Sequence, residues 1–149
     1  MAAKKKILVV EDNSDIRQLM VFFLEQAGYD VLEAATGLAA IERAIATLPD
    51  LITMDLGLPD ITGDEVTARL KADPSTKHIP VIAITAYYKE SPLVESAIAA
   101  GACEVLCKPV TLRSLEDALR RLLTVKPNEG ALAARSLASS SNDRLTDHT

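Results

Sequence analysis

Acidic, hydroxyl and amine side chains stand at the ends of four apolar segments in this sequence. Glu11 and Asp12 follow "KILVV", Asp55 closes "LITMD", Thr85 closes "PVIAIT", and Lys108 follows "CEVLC". Three carboxylates brought together raise one another's pKa unless a cation shares the site. Oxygen ligands suit Mg²⁺, or another hard divalent ion such as Mn²⁺, which readily accepts a phosphate oxygen as a further ligand. The residue types therefore indicate a metal-assisted site for a phosphoryl group.

Asp55 is the predicted acceptor of that phosphoryl group. The loop after it, "LGLPDITG", contains a proline and two glycines that can leave the carboxylate open to approach. A carboxylate can attack a high-energy phosphoryl donor and form an acyl phosphate, while positioning and Mg²⁺ supply most of the catalysis. Lys108 adds a point charge and Thr85 a hydroxyl donor, both suited to phosphate oxygens. Taken singly, each of these residues has an ordinary role as a helix cap, a strand residue or a solvated charge.

Alternating strand and helix patterns must bring these residues together. The strand candidates are residues 6–10, 30–34, 51–55, 80–85 and 103–107. Nearly continuous apolar runs in the first, third and fourth are typical of parallel strands covered on both faces, whereas the alternating "DVLEA" indicates an edge strand. Apolar residues at helical spacing follow each strand. In the second predicted helix these residues are Leu38, Ile41, Ala44, Ile45 and Leu48. The pattern predicts an α/β fold, a doubly wound five-stranded parallel sheet with five helices, whose strand ends share one ligand-binding edge.

Composition limits the classes of protein to which the chain can belong. It has 149 residues, 48% of them hydrophobic, and a net charge of −5, which fits one globular domain and argues against direct binding to nucleic acid. No apolar run approaches the roughly 18 residues of a membrane span, and the first residues lack the features of a signal peptide. We therefore expect a cytoplasmic protein with a folded domain over residues 1–125 and a flexible tail or linker over 126–149. Cys103 and Cys107 are expected to be reduced and to act as small hydrophobic side chains.

Four motifs, in order and at fitting separations, give the chain a family resemblance. They are "ILVVEDN", "DLITMDLGLPDITG", "VIAITA" and "LCKP". With them the sequence resembles the receiver domain of two-component response regulators, the CheY-like superfamily, over about residues 5 to 125. The resemblance implies the strand order 2-1-3-4-5, a flavodoxin-like three-layer sandwich, and a cis peptide bond between Lys108 and Pro109.

The resemblance also assigns roles to the residues of the predicted site. Asp55 would receive the phosphoryl group from a sensor histidine kinase or a histidine phosphotransfer protein. The metal ion, Mg²⁺ or Mn²⁺, would be held by Glu11, Asp12, Asp55 and the backbone carbonyl of Gly57. Thr85 and Lys108 would bind the phosphoryl oxygens. On this basis we expect a stand-alone receiver that signals by phosphorylation-dependent contact with an unidentified protein target.

One position departs from the family pattern. Val105 stands where receivers commonly carry a Tyr or Phe that turns inward together with the threonine, here Thr85. We therefore hypothesise that the signal runs through the segment after Thr85, with Tyr87 and Tyr88 as mobile aromatic side chains. Gly57 and Tyr87 flank the path of a water molecule that attacks the acyl phosphate. Neither offers an acid or an amide to orient that water, so a moderately long-lived phosphoryl group is expected.

Two other functions share parts of this pattern. A hydrolase that forms an aspartyl phosphate needs a general acid two residues after the nucleophile, where this chain has Gly57, and a cap domain for its substrate. A flavin-binding protein of the same fold needs a phosphate loop rich in Ser, Thr and Gly after strand one, where this chain has "EDNSD". We therefore expect no multiple-turnover enzyme, but a protein that takes part once in its own phosphorylation and dephosphorylation.

The apolar face of the first helix most simply belongs to the core, but it is also a candidate docking surface for the kinase. It can serve in this way only if part of it stays exposed. The residues of that face are Ile16, Leu19, Met20 and Phe23.

Overall fold

The structure is a computed structural model that describes residues 4–86 and 91–124. Within these ranges, five parallel strands form one sheet in the order β2-β1-β3-β4-β5. The elements are β1 (Lys6–Val10), α1 (Ser14–Gln26), β2 (Asp30–Ala34), α2 (Gly37–Thr47), β3 (Leu51–Asp55), α3 (Gly63–Ala72), β4 (Val81–Thr85), α4 (Pro92–Ala100), β5 (Glu104–Cys107) and α5 (Leu112–Thr124). The predicted fold class and strand order are confirmed. Tyr87, Tyr88 and the predicted tail over 126–149 lie outside the described residues.

The sheet separates two hydrophobic layers. Alternate residues of a strand point to opposite faces. Ile7 and Val9 of β1 therefore pack with residues of α1 and α5, whereas Leu8 and Val10 pack with residues of α2 and α3. A smaller cluster joins α4 to the β3, β4 and β5 side of the sheet. Helices thus cover both faces, which is the three-layer arrangement that the resemblance implies.

The place of each strand in the sheet explains its sequence pattern. β3 and β4 lie inside the sheet and are buried along their whole length. β2 is an edge strand, as its alternating pattern predicts, and β5 is the other edge. Because β5 is an edge, Cys103 and Cys107 are exposed, with no disulfide bond. The cysteines are free, as expected, but their exposure contradicts the expectation that they act as small hydrophobic side chains.

Apolar spacing predicts helix α2 correctly and its buried face only in part, since Ala44 and Ile41 face the core. Leu38, Ile45 and Leu48 are about half exposed. The residues that α2 buries completely are small, Ala40 and Ala44. Small side chains let the helix lie close to the sheet, which leaves the larger aliphatic side chains at its flanks. Among the described helices, none combines the length and the hydropathy that a membrane span requires.

The helix N-termini lie at the same edge of the sheet as the carboxyl ends of the strands, as the βα alternation requires. Asn13, Thr36 and Ser91 each accept a hydrogen bond from a backbone N–H in the first turn of α1, α2 and α4. These caps satisfy N–H groups that have no partner within the helix. They fix where each loop ends, and so where the residues that leave the strands are presented.

Candidate functional site

Three carboxylates converge at the carboxyl edge of the sheet. Glu11 and Asp12 follow β1, Asp55 ends β3, and one oxygen from each lies within 4.8 Å of the others. Glu11 and Asp55 are buried, with 2% and 5% of their surface exposed, whereas Asp12 is open to solvent. The structure therefore brings together the three side chains that were predicted to hold a metal. Oxygen ligands with one solvent-facing member fit a hard divalent cation that keeps several of its waters.

Lys108 supplies a positive charge to this cluster. Its Nζ atom lies 3.0 Å from Glu11 Oε1 and 3.4 Å from Asp55 Oδ2. Burial by itself lowers the pKa of Lys108, but the interactions with Glu11 and Asp55 outweigh burial and raise that pKa above its ordinary value. The ammonium group therefore stays charged and holds together two carboxylates that would otherwise repel each other. The peptide bond from Lys108 to Pro109 is cis, as the resemblance implies.

Glu11 is the most buried of the three carboxylates. Its backbone N–H donates to the carbonyl of Ala34 at 3.0 Å, and its Oε2 accepts from the N–H of Asn13 at 3.1 Å. Burial raises the pKa of Glu11 and Asp55 raises it further, while Lys108 and the Asn13 N–H act in the opposite direction. Because the net shift is upward, Glu11 holds a proton more readily than a free glutamate. A divalent cation bound here competes with that proton.

The loop after Asp55 is shaped by two glycines. The N–H of Gly57 donates to Asp55 Oδ1 at 3.0 Å, which fixes one oxygen of the carboxylate. A Cβ atom on Gly57 would lie 3.9 Å from that oxygen, at ordinary contact distance. A Cβ atom on Gly63 would lie only 2.3 Å from the backbone oxygen of Asp55. The sequence marks Gly63 only as one of two loop glycines; its lack of a side chain lets the start of α3 pack directly against Asp55.

Thr85 and Val105 lie on the two strands beyond Asp55. Ile84 pairs with Asp55 across the sheet, so Thr85 is the next residue along the neighbouring strand, and it is buried. The backbone N–H of Lys108 donates to the carbonyl of Thr85 at 2.7 Å, which ties the lysine to the end of β4. Val105 is partly buried and packs against residues of α4. Tyr87 and Tyr88 lie outside the described residues, so the hypothesis about them stays a prediction.

Two residues that sequence reasoning missed brace the loops of the site. Arg17 of α1 donates from Nη1 to the carbonyl oxygen of Glu11 at 2.8 Å. Asp60 follows β3 and accepts hydrogen bonds from the backbone N–H groups of Gly37 and Leu38 at 2.8 and 2.9 Å. The bonds from Leu38 and then Gly37 lower the pKa of Asp60 to about 2. The partners of Asp60 lie 22 and 23 positions away in the chain, and the contact of Arg17 with Glu11 spans six positions across the loop before α1, so no strand or helix spacing marks either residue.

An apolar groove opens beside the site, between α1 and the start of α5. Its volume is about 380 Å³, and Glu11 and Lys108 are among the residues that line it. The apolar lining includes Ile16, Leu19, Met20, Phe23, Leu112 and Leu115. Leu19 keeps 54% of its surface exposed and Ile16 keeps 38%. The condition set for α1 as a docking surface, an exposed part of its apolar face, is therefore met.

Fold and site together define a class of protein. The chain is a doubly wound α/β domain that gathers three carboxylates and a lysine at the carboxyl edge of a parallel sheet. The family model of the response regulator receiver domain matches residues 7–120. The chain therefore belongs to the receiver-domain family of two-component signalling, as its four motifs imply.

Known proteins of this family resemble the chain over most of its length. The polar-differentiation response regulators DivK of Brucella ovis and Brucella melitensis are each 37% identical to it over 120 residues, which is 80% of this chain and 96% of theirs. Among solved structures, the chemotaxis protein CheY4 of Vibrio cholerae is 33% identical with a TM-score of 0.75, over 81% of this chain and 100% of CheY4. The receiver domain of the sensor histidine kinase PA1611 from Pseudomonas aeruginosa is 31% identical with a TM-score of 0.76, over 81% of this chain and 98% of that domain. That structure has a magnesium ion coordinated in its active site cleft.

Proposed function

We propose that this protein accepts a phosphoryl group on Asp55 from a sensor histidine kinase or a histidine phosphotransfer protein, in a reaction that depends on Mg²⁺. The observation that carries the proposal is the buried Asp55 carboxylate, grouped with Glu11 and Asp12 within 4.8 Å and with the Lys108 ammonium at 3.4 Å. Phosphorylated, the protein signals through contact with a downstream protein. Its net charge of −5 disfavours direct binding to nucleic acid.

The protein contributes little covalent chemistry to the transfer itself. A carboxylate oxygen of Asp55 attacks the phosphorus of a phosphohistidine, the P–N bond breaks, and the imidazole nitrogen keeps the electron pair. The product is an acyl phosphate on Asp55. Glu11, Asp12, Asp55 and the carbonyl of Gly57 would hold Mg²⁺, which would stabilise the negative charge on the phosphoryl oxygens. The magnesium ion in the related PA1611 receiver supports this assignment of the metal.

Lys108 has a second task once the phosphoryl group is present. In the unmodified protein its ammonium is shared between Glu11 and Asp55. When Asp55 becomes an acyl phosphate, the ammonium can pair with a phosphoryl oxygen instead, and the buried hydroxyl of Thr85, on the adjacent strand, can donate to another. The new contacts draw the ends of β4 and β5 toward β3. That movement is the event by which a downstream protein distinguishes the two states.

The phosphodonor docks on the groove between α1 and α5. The groove runs beside Glu11 and Lys108, so a helix seated on Ile16 and Leu19 can carry a histidine to the site. Such packing of an apolar helix face into a groove is a common mode of recognition. The exchange is proposed to take place in the cytoplasm. It is a single event for each phosphoryl group, and no diffusible substrate is turned over repeatedly.

Mass spectrometry after incubation with acetyl phosphate and Mg²⁺ tests the acceptor. The wild-type protein should gain one phosphoryl group, and Asp55→Ala should gain none. Asp30→Ala is a matched control, because Asp30 is an exposed aspartate at the start of β2 and its loss should leave phosphorylation unchanged. Equal single phosphorylation of the wild type and Asp55→Ala would defeat the assignment. Chelation of Mg²⁺ should abolish the modification of the wild type.

A further inference from the structure

Arg17 makes two contacts with the acidic loop after β1 and a third with strand β2. Its Nη1 atom donates to the carbonyl oxygens of Glu11 at 2.8 Å and of Asp12 at 3.4 Å. Its Nε atom forms an ion pair with Glu33 Oε1 of β2 at 3.0 Å. The arginine side chain is only 17% exposed. One rigid guanidinium therefore joins helix α1, strand β2 and the two consecutive residues whose carboxylates face the metal site.

The hydrogen bonds go to backbone carbonyls and not to the carboxylates. Arg17 thus leaves the oxygens of Glu11 and Asp12 available as ligands while it restrains the two peptide groups that carry them. The backbone of the loop is tied to β2 as well, because the Glu11 N–H donates to the carbonyl of Ala34. Groups that orient ligands in this way, from outside the set that touches the metal, are a recognised determinant of metal affinity.

We propose that Arg17 is a positioning residue that raises the affinity of the site for Mg²⁺ by holding the backbone of Glu11 and Asp12. The inference rests on the proposed function, because it takes these two residues as metal ligands. Its effect is opposite in sign to what charge alone would give. Removing a positive charge near a cation site favours the cation by Coulomb's law, whereas removing the restraint on the ligands weakens binding. The sign of the change therefore separates the two effects.

Isothermal titration of the full chain with MgCl₂, without any phosphodonor, measures this affinity directly. Arg17→Ala should raise the dissociation constant by about tenfold, the lower end of the range for residues that orient metal ligands. Arg43→Ala is the matched control, because it removes the same charge from an exposed position of α2 and should leave the constant unchanged. Arg17→Lys keeps the charge but cannot span the three acceptors, so it should also bind Mg²⁺ more weakly. It provides the readout if Arg17→Ala does not fold.

Thermal unfolding of each variant without metal separates positioning from a merely structural role. If Arg17 only fastens α1 to β2, its variants lose stability but bind Mg²⁺ as tightly as the wild type, which would overturn the inference. Tighter binding by Arg17→Ala would overturn it as well. A wild-type protein that binds no Mg²⁺ would remove the metal site itself, and with it both this inference and that part of the proposed function. Wild-type binding together with equal binding by both Arg17 variants refutes the role of Arg17 alone.

Discussion

Replacing Leu19 by alanine should weaken the reaction with a histidine donor and spare the chemistry of the site. Leu19 lines the groove beside Glu11 and Lys108 and keeps 54% of its surface exposed. Complete burial of a leucine side chain contributes about 1.5–3 kcal/mol, so covering the exposed half on docking contributes about 1 kcal/mol. A loss of about 1 kcal/mol corresponds to a fall of about fivefold in kcat/KM for phosphotransfer.

The assay compares two phosphodonors and two variants, Leu19→Ala and Leu38→Ala. The histidine donor is the kinase that transfers its phosphoryl group to the wild-type protein fastest in a profiling panel, and acetyl phosphate is the donor that needs no docking. Leu38→Ala is the matched control, because Leu38 is also 54% exposed but lies on α2, which covers the opposite face of the sheet. Leu19→Ala should lower the rate with the kinase only, and Leu38→Ala should lower neither rate.

Two outcomes would contradict this reasoning. If Leu38→Ala slows transfer from the kinase as much as Leu19→Ala does, exposure alone and not the groove governs docking. If Leu19→Ala slows phosphorylation by acetyl phosphate to the same extent, the leucine acts on the site itself. Equal unfolding midpoints for the two variants and the wild type exclude a general loss of structure.

Further predictions concern stability, lifetime and signalling. Thr53→Val should raise the unfolding free energy by about 1–2 kcal/mol, because the buried Thr53 hydroxyl has no hydrogen-bond partner in the described structure. Thr76→Val should instead lower it by about 1 kcal/mol, since that hydroxyl donates to a backbone carbonyl at 2.7 Å; urea unfolding measures both. The pKa of Asp60 is lowered from 3.8 to about 2. In urea unfolding, the wild type should therefore have a higher unfolding free energy than Asp60→Asn, and this difference should be full above about pH 4 and vanish as the pH falls through 2. Gly57→Asn should shorten the phosphoryl lifetime, followed by mass spectrometry, about tenfold or more, because an amide there can orient water; a wild-type half-life of seconds would contradict the expected persistence. Beryllofluoride with Mg²⁺ should alter the NMR signals of residues 86–92. No change in those signals would contradict signalling through the segment after Thr85.

The central strands and the ends of the strands were predictable because their signals are local. A strand buried on both faces needs a continuous apolar run, and β3 and β4 have one. The residue that ends such a strand must lie at the carboxyl edge, whatever the loops do. Asp55 and Lys108 could therefore be placed at one site from their positions in the chain alone. The structure adds the distances, 3.4 Å between their charged groups in this case.

The supporting residues could not be predicted because their roles depend on contacts that no strand or helix pattern marks. Arg17 contacts Glu33 across 16 positions, and Asp60 contacts Gly37 across 23. Neither distance has a periodicity that a sequence pattern could reveal. Gly63 is a similar case, since its role depends on the close approach of the Asp55 backbone and not on a left-handed conformation or a turn type. Such residues become recognisable only when the packing of α1, α2 and α3 is known.

Val105 bears directly on how a phosphoryl signal leaves the site. A ring at this position could swing between exposed and buried rotamers, but valine has one short branched side chain with a strongly preferred rotamer. Here it already packs, partly buried, against the cluster that contains Val94 and Ala97 of α4. Little apolar surface is therefore gained or lost by any movement of Val105 itself. Thr85 is the remaining element of the usual pair, and the chain leads from it directly into the segment before α4. We therefore expect the movement of Thr85, rather than of Val105, to transmit phosphorylation of Asp55, and we predict a shift of α4 as the change that a downstream protein recognises.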